Sequence, residues 1–276
     1  MADLLINQLF SLKGKVAVVT GGTGVLGGAM ARALAGAGAK VGILGRRAEV
    51  AAALAGEIER DGGEAMALQA DVNIVADLER ARSKLIETWG GLQILVNAAG
   101  GNIPGATIGP DASIFGLDIE AFKGAVDLNL TSTVQTTLVF GQAMADAGEG
   151  SIINISSASA FRPLTRVIAY GAAKAAVENV TRWLAVELPR RHGPGIRVNA
   201  IAPGFFIGDQ NRALLLKEDG SLSDRGQTII NHTPLARFGE PDDLISTLIW
   251  LCSPGAAFVT GTVIPVDGGF MSFSGV

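Results

Sequence analysis

Three residues in this chain are spaced for acid–base chemistry on one small molecule: Ser157, Tyr170 and Lys174. Tyr170 and Lys174 stand four apart at the head of an alanine-rich segment, so on a helix both project from one face and reach one ligand. A phenol beside an ammonium loses its proton more readily than its usual pKa of about 10 allows. Ser157 closes an apolar run, 151–156, that reads as a strand emptying into a loop. Its hydroxyl can hold a carbonyl oxygen while the tyrosine gives or takes the proton. Together the three make a proton partner for hydride transfer. A tyrosine and a lysine at this spacing are more often merely solvated, so the surrounding elements decide.

The first of these is a β-branched run at 15–20, K-V-A-V-V-T, followed by G-G-T-G-V-L-G-G and then by helical spacing. Glycines between a strand and a helix permit a tight turn and let backbone N–H groups approach a pyrophosphate. Gly21, Thr23, Gly24, Val25, Leu26 and Gly27 are therefore candidate cofactor contacts. A second strand, 40–44, ends not in the acid that would bind a ribose 2′-hydroxyl but in Gly45-Arg46-Arg47. Guanidinium groups suit a 2′-phosphate, which favours NADP(H), with NAD(H) possible; solvated loop arginines are the alternative. A third strand, 64–70, runs into Asp71-Val72, where the carboxylate either accepts from the adenine amino group or caps the following helix. That helix covers 76–89 and stops at Gly90. A fourth strand, 92–96, meets Asn97-Ala98-Ala99-Gly100, small residues that leave room for a flat ligand at a strand's C-terminal end.

A long loop, 101–118, reads as a wall of a substrate site, and a helical region follows over 119–147. Asn129 lies inside that helix, where asparagine is unfavourable; it needs polar partners if buried, and it could hold a relay water. After Lys174 the helix continues to about 188, with Ala173, Val177, Val180 and Leu184 as its buried stripe. Further strands are expected at 196–201, before Pro203-Gly204, and at 259–266, with a helix at 241–251. Residues 205–240 are the least regular part and read as a substrate loop or lid. Strand and helix alternate without linker or repeat. The expectation is one α/β domain over 1–276, doubly wound and Rossmann-type, with about seven parallel strands and helices on both faces.

Composition narrows the partners. Of 276 residues, 48% are hydrophobic and 17% charged, enough for a large core, and the net charge of −4 speaks against nucleic acid or an anionic membrane. No apolar stretch is long enough to span a bilayer, and the N-terminus lacks a basic leader, so a cytoplasmic location is expected. The single cysteine, Cys252, excludes an intrachain disulfide and a cysteine-built metal site, and I-W-L-C suggests a buried, inert thiol.

The ordered set T-G-G-T-G-V-L-G, D-V, N-A-A-G, Asn129 in D-L-N-L, Ser157, Y-G-A-A-K, P-G and V-D-G-G resembles the short-chain dehydrogenase/reductase family over essentially the whole chain. The resemblance implies a catalytic tetrad: Tyr170 as general acid/base, Lys174 on the nicotinamide ribose and lowering the tyrosine pKa, Ser157 on the substrate oxygen, and Asn129 keeping a relay water. It also implies cofactor contacts from Asp71, Val72, Asn97, Ala98, Gly100, Tyr170, Lys174, Pro203 and Gly204, no metal, and a homotetramer. The chain departs from the family at Val25, where glycine is usual, and at Gly208, near the place of a threonine that holds the carboxamide. N-A-A-G-G-N, P-G-F-F-I-G-D-Q-N-R and H-T-P-L-A-R-F-G resemble the sugar-acid branch, nearest to D-mannonate oxidoreductases (fructuronate reductases). That likeness implies a keto or hydroxy sugar acid as the small-molecule substrate. Arg162, Arg166 and Arg212 are then candidates for its carboxylate, and Asn102, Gln210 and Asn211 for its hydroxyls. Alternatives are a 3-ketoacyl thioester or hydrophobic ketone, admitted by Ile103, Phe115, Phe161, Phe205 and Phe206, and a dinucleotide-binding sensor that does not catalyse.

Overall fold

The structure is a computed structural model that describes residues 2–109, 111–208 and 211–275, with side chains from residue 5 onward. Seven strands form one sheet: β1 (Val16–Thr20), β2 (Lys40–Gly45), β3 (Glu64–Gln69), β4 (Ile94–Asn97), β5 (Glu149–Ile155), β6 (Gly195–Pro203) and β7 (Val263–Val266). Their order is β3-β2-β1-β4-β5-β6-β7, and every pair is parallel. The helices are α1 (Ala2–Phe10), α2 (Val25–Gly36), α3 (Ala48–Arg60), α4 (Val75–Trp89), α5 (Ile119–Val126), α6 (Ser132–Ala147), α7 (Ile168–His192), α8 (Arg212–Leu215), α9 (Asp224–Asn231) and α10 (Ile245–Cys252).

Strands buried on both faces read as continuous apolar runs, and their alternating side chains feed two cores. Ala17, Val19, Val41 and Ile43 point to one side, where Met30 and Leu34 of α2, Leu54 of α3 and Leu248 of α10 cover them. Val16, Val18 and Leu44 point to the other, under Leu78 and Leu85 of α4, Phe140 and Met144 of α6, and Ala185 of α7. The strand order reverses between β1 and β4, and open α/β sheets bind ligands at such a switch point, outside the strands' C-terminal ends. Gln93 keys the two strands together, its side-chain oxygen accepting from Val16 N at 2.9 Å.

Four elements differ from the sequence expectations. The helical region 119–147 is interrupted by a π-helical turn, Asp127–Thr131. Hydroxyls and an amide there bond carbonyls within the helix: Asn129 Nδ2 donates to Ala125 O, Ser132 Oγ to Leu128 O and Thr133 Oγ1 to Asn129 O. Such side chains compete with the regular ladder, and one-turn π bulges gather at functional sites. Residues 205–240 contain α8 and α9; Ser223 begins the latter by accepting from Gly226 N at 3.0 Å. The last strand starts at Val263 rather than 259, because Gly261 adopts a left-handed turn (φ 76°) and Thr260 bonds Val198 N instead. Pro265 is tolerated since β7 is an edge. The buried stripe of α7 runs through Ala173, Val177, Thr181 and Ala185, while Val180 and Leu184 are half-buried.

Candidate active site

The C-terminal ends of β1, β4, β5 and β6 open into a cleft of about 720 Å³ that also reaches the head of α2 and the 205–240 segment. At its β1 edge, Gly27 in the first turn of α2 lies against the Gly21 carbonyl, where a Cβ would stand 2.3 Å from the oxygen. Any side chain there would open the turn. Gly24 caps α2 with no side-chain bond, and the first turn holds no acid, so the helix's positive end and its free N–H groups face the cleft. Thr20 Oγ1 accepts from both Ala98 N and Ala99 N at 3.1 Å, fixing the end of β4 beside this turn. These features fit a dinucleotide pyrophosphate. Val25 lies at the open rim, 42% exposed, so its methyls stay out of the turn.

At the end of β2, a Cβ on Gly45 would meet Thr23 Oγ1 at 2.8 Å, which leaves no place for an acid. Arg46 and Arg47 line the cleft next to it, both exposed, and Arg47 Nη2 donates to Thr23 O at 2.5 Å. Asp71 and Val72 line the same edge. Asp71 does not cap α4; its Oδ1 accepts from Asn73 N at 2.9 Å, and the helix begins after Ile74 without a side-chain cap. Asn97, expected as a cofactor contact, turns into the core instead. Its amide donates to Asn154 Oδ1 and Thr137 Oγ1 and accepts from Thr136 Oγ1, tying β4 to β5 and α6.

On the opposite side the structure gathers Ser157, Tyr170 and Lys174. Ser157 follows β5; its hydroxyl lies beside the Tyr170 phenol and accepts from Ser159 N at 3.2 Å. Lys174, one turn along α7, is 3% exposed; its ammonium donates to Ile155 O at 2.7 Å and lies 5.6 Å from the centre of the tyrosine ring. Burial pushes the Lys174 pKa down to about 8. The expected lowering of the tyrosine pKa by this lysine does not dominate. Burial, which disfavours phenolate, holds the Tyr170 pKa above its ordinary value, with the neighbouring Ser157 hydroxyl as a smaller opposing effect.

Asn129 sits at the centre of the π turn, fully buried, and grips Gly101 at both ends: its Oδ1 accepts from Gly101 N at 2.9 Å and its Nδ2 donates to Gly101 O at 2.8 Å. Gly100 fits between it and the lysine, since a Cβ there would stand 2.6 Å from Asn129 Oδ1 and 3.3 Å from Lys174 Nζ. The amide is thereby committed to the backbone that borders Lys174.

The substrate candidates divide. Asn102 is exposed on the cleft wall. Arg162 Nε donates to Met271 O at 3.0 Å, away from the lining residues, because the C-terminal segment folds over it. Arg212 is exposed on α8 and not part of the wall. Asn211 lines the cleft, but its amide holds the loop, accepting from Gly208 N and donating to Phe206 O, both at 2.8 Å. Gln210 lies outside the described residues. Arg166 is half-buried beside a residue the sequence reading missed, Arg225 on α9, which does line the cleft. Leu164, Val167, Ile207 and Leu214 form the apolar wall, Pro203 and Gly204 its β6 border.

Residues 23–271 match the protein family described as Enoyl-(Acyl carrier protein) reductase, adh_short_C2. An uncharacterized oxidoreductase of Bacillus subtilis, UxuB, is 46% identical over 96% of this chain and 98% of its own length. A 2-dehydro-3-deoxy-D-gluconate 5-dehydrogenase of Formosa agariphila is 34% identical over 97% of each chain. A crystal structure from Haemophilus influenza with bound NAD, provisionally assigned as a D-mannonate oxidoreductase, superimposes with a TM-score of 0.91 at 39% identity, covering 98% of this chain and 100% of the other. The chain therefore belongs to the short-chain dehydrogenase/reductase family, enzymes that use a nicotinamide dinucleotide to interconvert alcohols and ketones.

Proposed function

We propose that this protein reduces the carbonyl of a keto sugar acid with NADPH in preference to NADH, or runs the reverse oxidation of a hydroxy acid, as in fructuronate/mannonate. The observation that carries the reading is the convergence of Ser157, Tyr170 and Lys174 on one cleft with the glycine turn at its far edge. Gly21, Thr23, Gly24, Val25, Leu26, Gly27, Ala98, Gly100, Pro203 and Gly204 border the space for the dinucleotide, and Arg46 and Arg47 reach for a 2′-phosphate. The bound nicotinamide supplies or accepts the hydride. Tyr170, kept protonated across neutral pH by burial, delivers the proton that a new alkoxide needs. Ser157 donates to the same substrate oxygen and fixes its distance from the phenol. Lys174 offers positive charge to the phenolate and a donor to ribose hydroxyls. Asn129 holds Gly101 in place, and its turn is where a relay water beside Lys174 would be kept.

Sugar acid as the substrate class is supported by the names of the related gluconate and mannonate enzymes and by Arg225 on the cleft wall. Residues 205–240, with α8 and α9, act as the lid over that substrate. A cytoplasmic homotetramer completes the reading, built on exposed Leu138, Trp183 and Val186 of α6 and α7. One observation favours a second substrate class: Leu164, Val167, Phe205, Ile207 and Leu214 give the wall an apolar stretch suited to an acyl thioester or hydrophobic ketone. A kinetic comparison of fructuronate, 5-ketogluconate and a 3-ketoacyl thioester, each with NADPH and NADH, separates the two. Turnover confined to the thioester would reject the sugar acid.

A further inference from the structure

Two neighbouring arginines, one of them on the cleft wall, have no carboxylate partner among the described residues. Arg225, in the first turn of α9, lines the cleft and donates from Nη1 to Thr165 Oγ1 at 3.0 Å. Arg166, the next residue after Thr165, is half-buried and holds a left-handed backbone (φ 76°), a conformation uncommon outside glycine. Ile108 N donates to its carbonyl at 2.9 Å and so ties this strained turn to the 101–118 loop. Among the described residues, neither guanidinium takes part in an ion pair, although most of the pairs present lie on more exposed surface. Burial and the Arg166 charge both disfavour the charged form of Arg225. Two partly desolvated like charges side by side are costly, and strain of this kind survives where function selects it.

We infer that Arg225, braced by Thr165 and flanked by Arg166, binds the substrate's carboxylate at the end of the cleft away from the reacting carbonyl. The assignment rests on the sugar-acid reading and names the residue that enforces it. A planar guanidinium meets a carboxylate in two parallel hydrogen bonds, and one of its nitrogens is already oriented by the Thr165 hydroxyl. Arg166 adds charge at the same place and links it to the loop at 101–118. A neutral sugar would leave both cations unsatisfied, so selectivity arises from the penalty on the wrong substrate as well as from the bond to the right one.

The test compares 5-ketogluconate and fructuronate with fructose, a ketose without a carboxylate, using the full-length enzyme and its Arg225→Met, Arg225→Lys and Thr165→Val variants. The Michaelis constant for NADPH serves as the check on folding. Arg225→Met is expected to raise KM for the keto acids by about 30-fold with a much smaller change in kcat, and to collapse the preference for acid over fructose by a similar factor. Arg225→Lys, which keeps the charge and loses the fork, should fall between, and Thr165→Val should shift KM in the same direction by about threefold. Keto-acid turnover with unchanged KM in Arg225→Met would overturn the carboxylate site and leave the sugar-acid reading standing. Absence of keto-acid turnover in the unaltered enzyme would overturn both.

Discussion

Lys174 carries its charge inside the protein at a cost, and that cost makes its role measurable. Its pKa of about 8 in the folded chain lies below the ordinary lysine value of 10.5, because burial disfavours the ammonium. Between pH 8 and 10.5 the unfolded chain holds a proton that the folded one has released, so this group makes stability rise with pH across that window. Below about 8 both states are protonated and the whole penalty is present. Replacing Lys174 with methionine should therefore stabilise the fold at pH 7 by on the order of 2 kcal/mol, after allowance for the Ile155 carbonyl left without its donor. The gain should shrink towards pH 10.5, while catalysis is lost at all pH values. Thermal unfolding at pH 7 and pH 10 checks this; an equal or reversed effect at the two would mean that the lysine is not buried as a charge. The spacing of Tyr170 and Lys174 was legible in the sequence, since a four-residue step on a helix fixes a common face. The direction of the tyrosine shift was not, because it depends on how deeply the phenol is buried, which spacing alone does not encode.

The element that joins the two halves of the site is the π turn at Asp127–Thr131. Asn129 satisfies three backbone groups there, Gly101 N and Gly101 O at the cleft edge and the buried Ala125 O. Asn129→Ala should cost about 2–4 kcal/mol in chemical denaturation and lower kcat through a loosened Gly100–Gly101 segment. A loss below about 0.5 kcal/mol would show that the turn holds itself without the amide. The long helices could be read from the chain because their period persists over many residues: α4 runs to Trp89, the end expected for it, and Gly90 stops it in a left-handed turn. The π turn was hidden, since Asp127–Thr131 lies between two helical segments whose spacing runs up to it from both sides, and the departure comes from side-chain bonds to carbonyls. Short α8 and α9 were hidden because they present almost no apolar stripe: Leu215 is the buried residue of α8, and Gly226 and Ile229 are those of α9. Arg225 was missed with them.

For the whole molecule, two apolar cores on either side of a parallel sheet leave the strand ends free to hold a site, and α6 and α7 still expose Leu138, Trp183 and Val186. If these cover one another in a tetramer, Trp183→Glu should reduce the mass seen by light scattering to that of a smaller species; an unchanged tetramer would place the interface elsewhere. Alternation of strand and helix made the fold legible, because crossover connections admit few topologies, whereas contacts between copies leave no trace in a pattern of periods. The central claim is that the Tyr170 hydroxyl is the proton partner of the reacting oxygen. Its most direct test is Tyr170→Phe, measuring kcat with NADPH and 5-ketogluconate together with NADPH binding by fluorescence. The account predicts that kcat falls by about 10³-fold or more while the cofactor binds as before; a rate equal to that of the unaltered enzyme would contradict it.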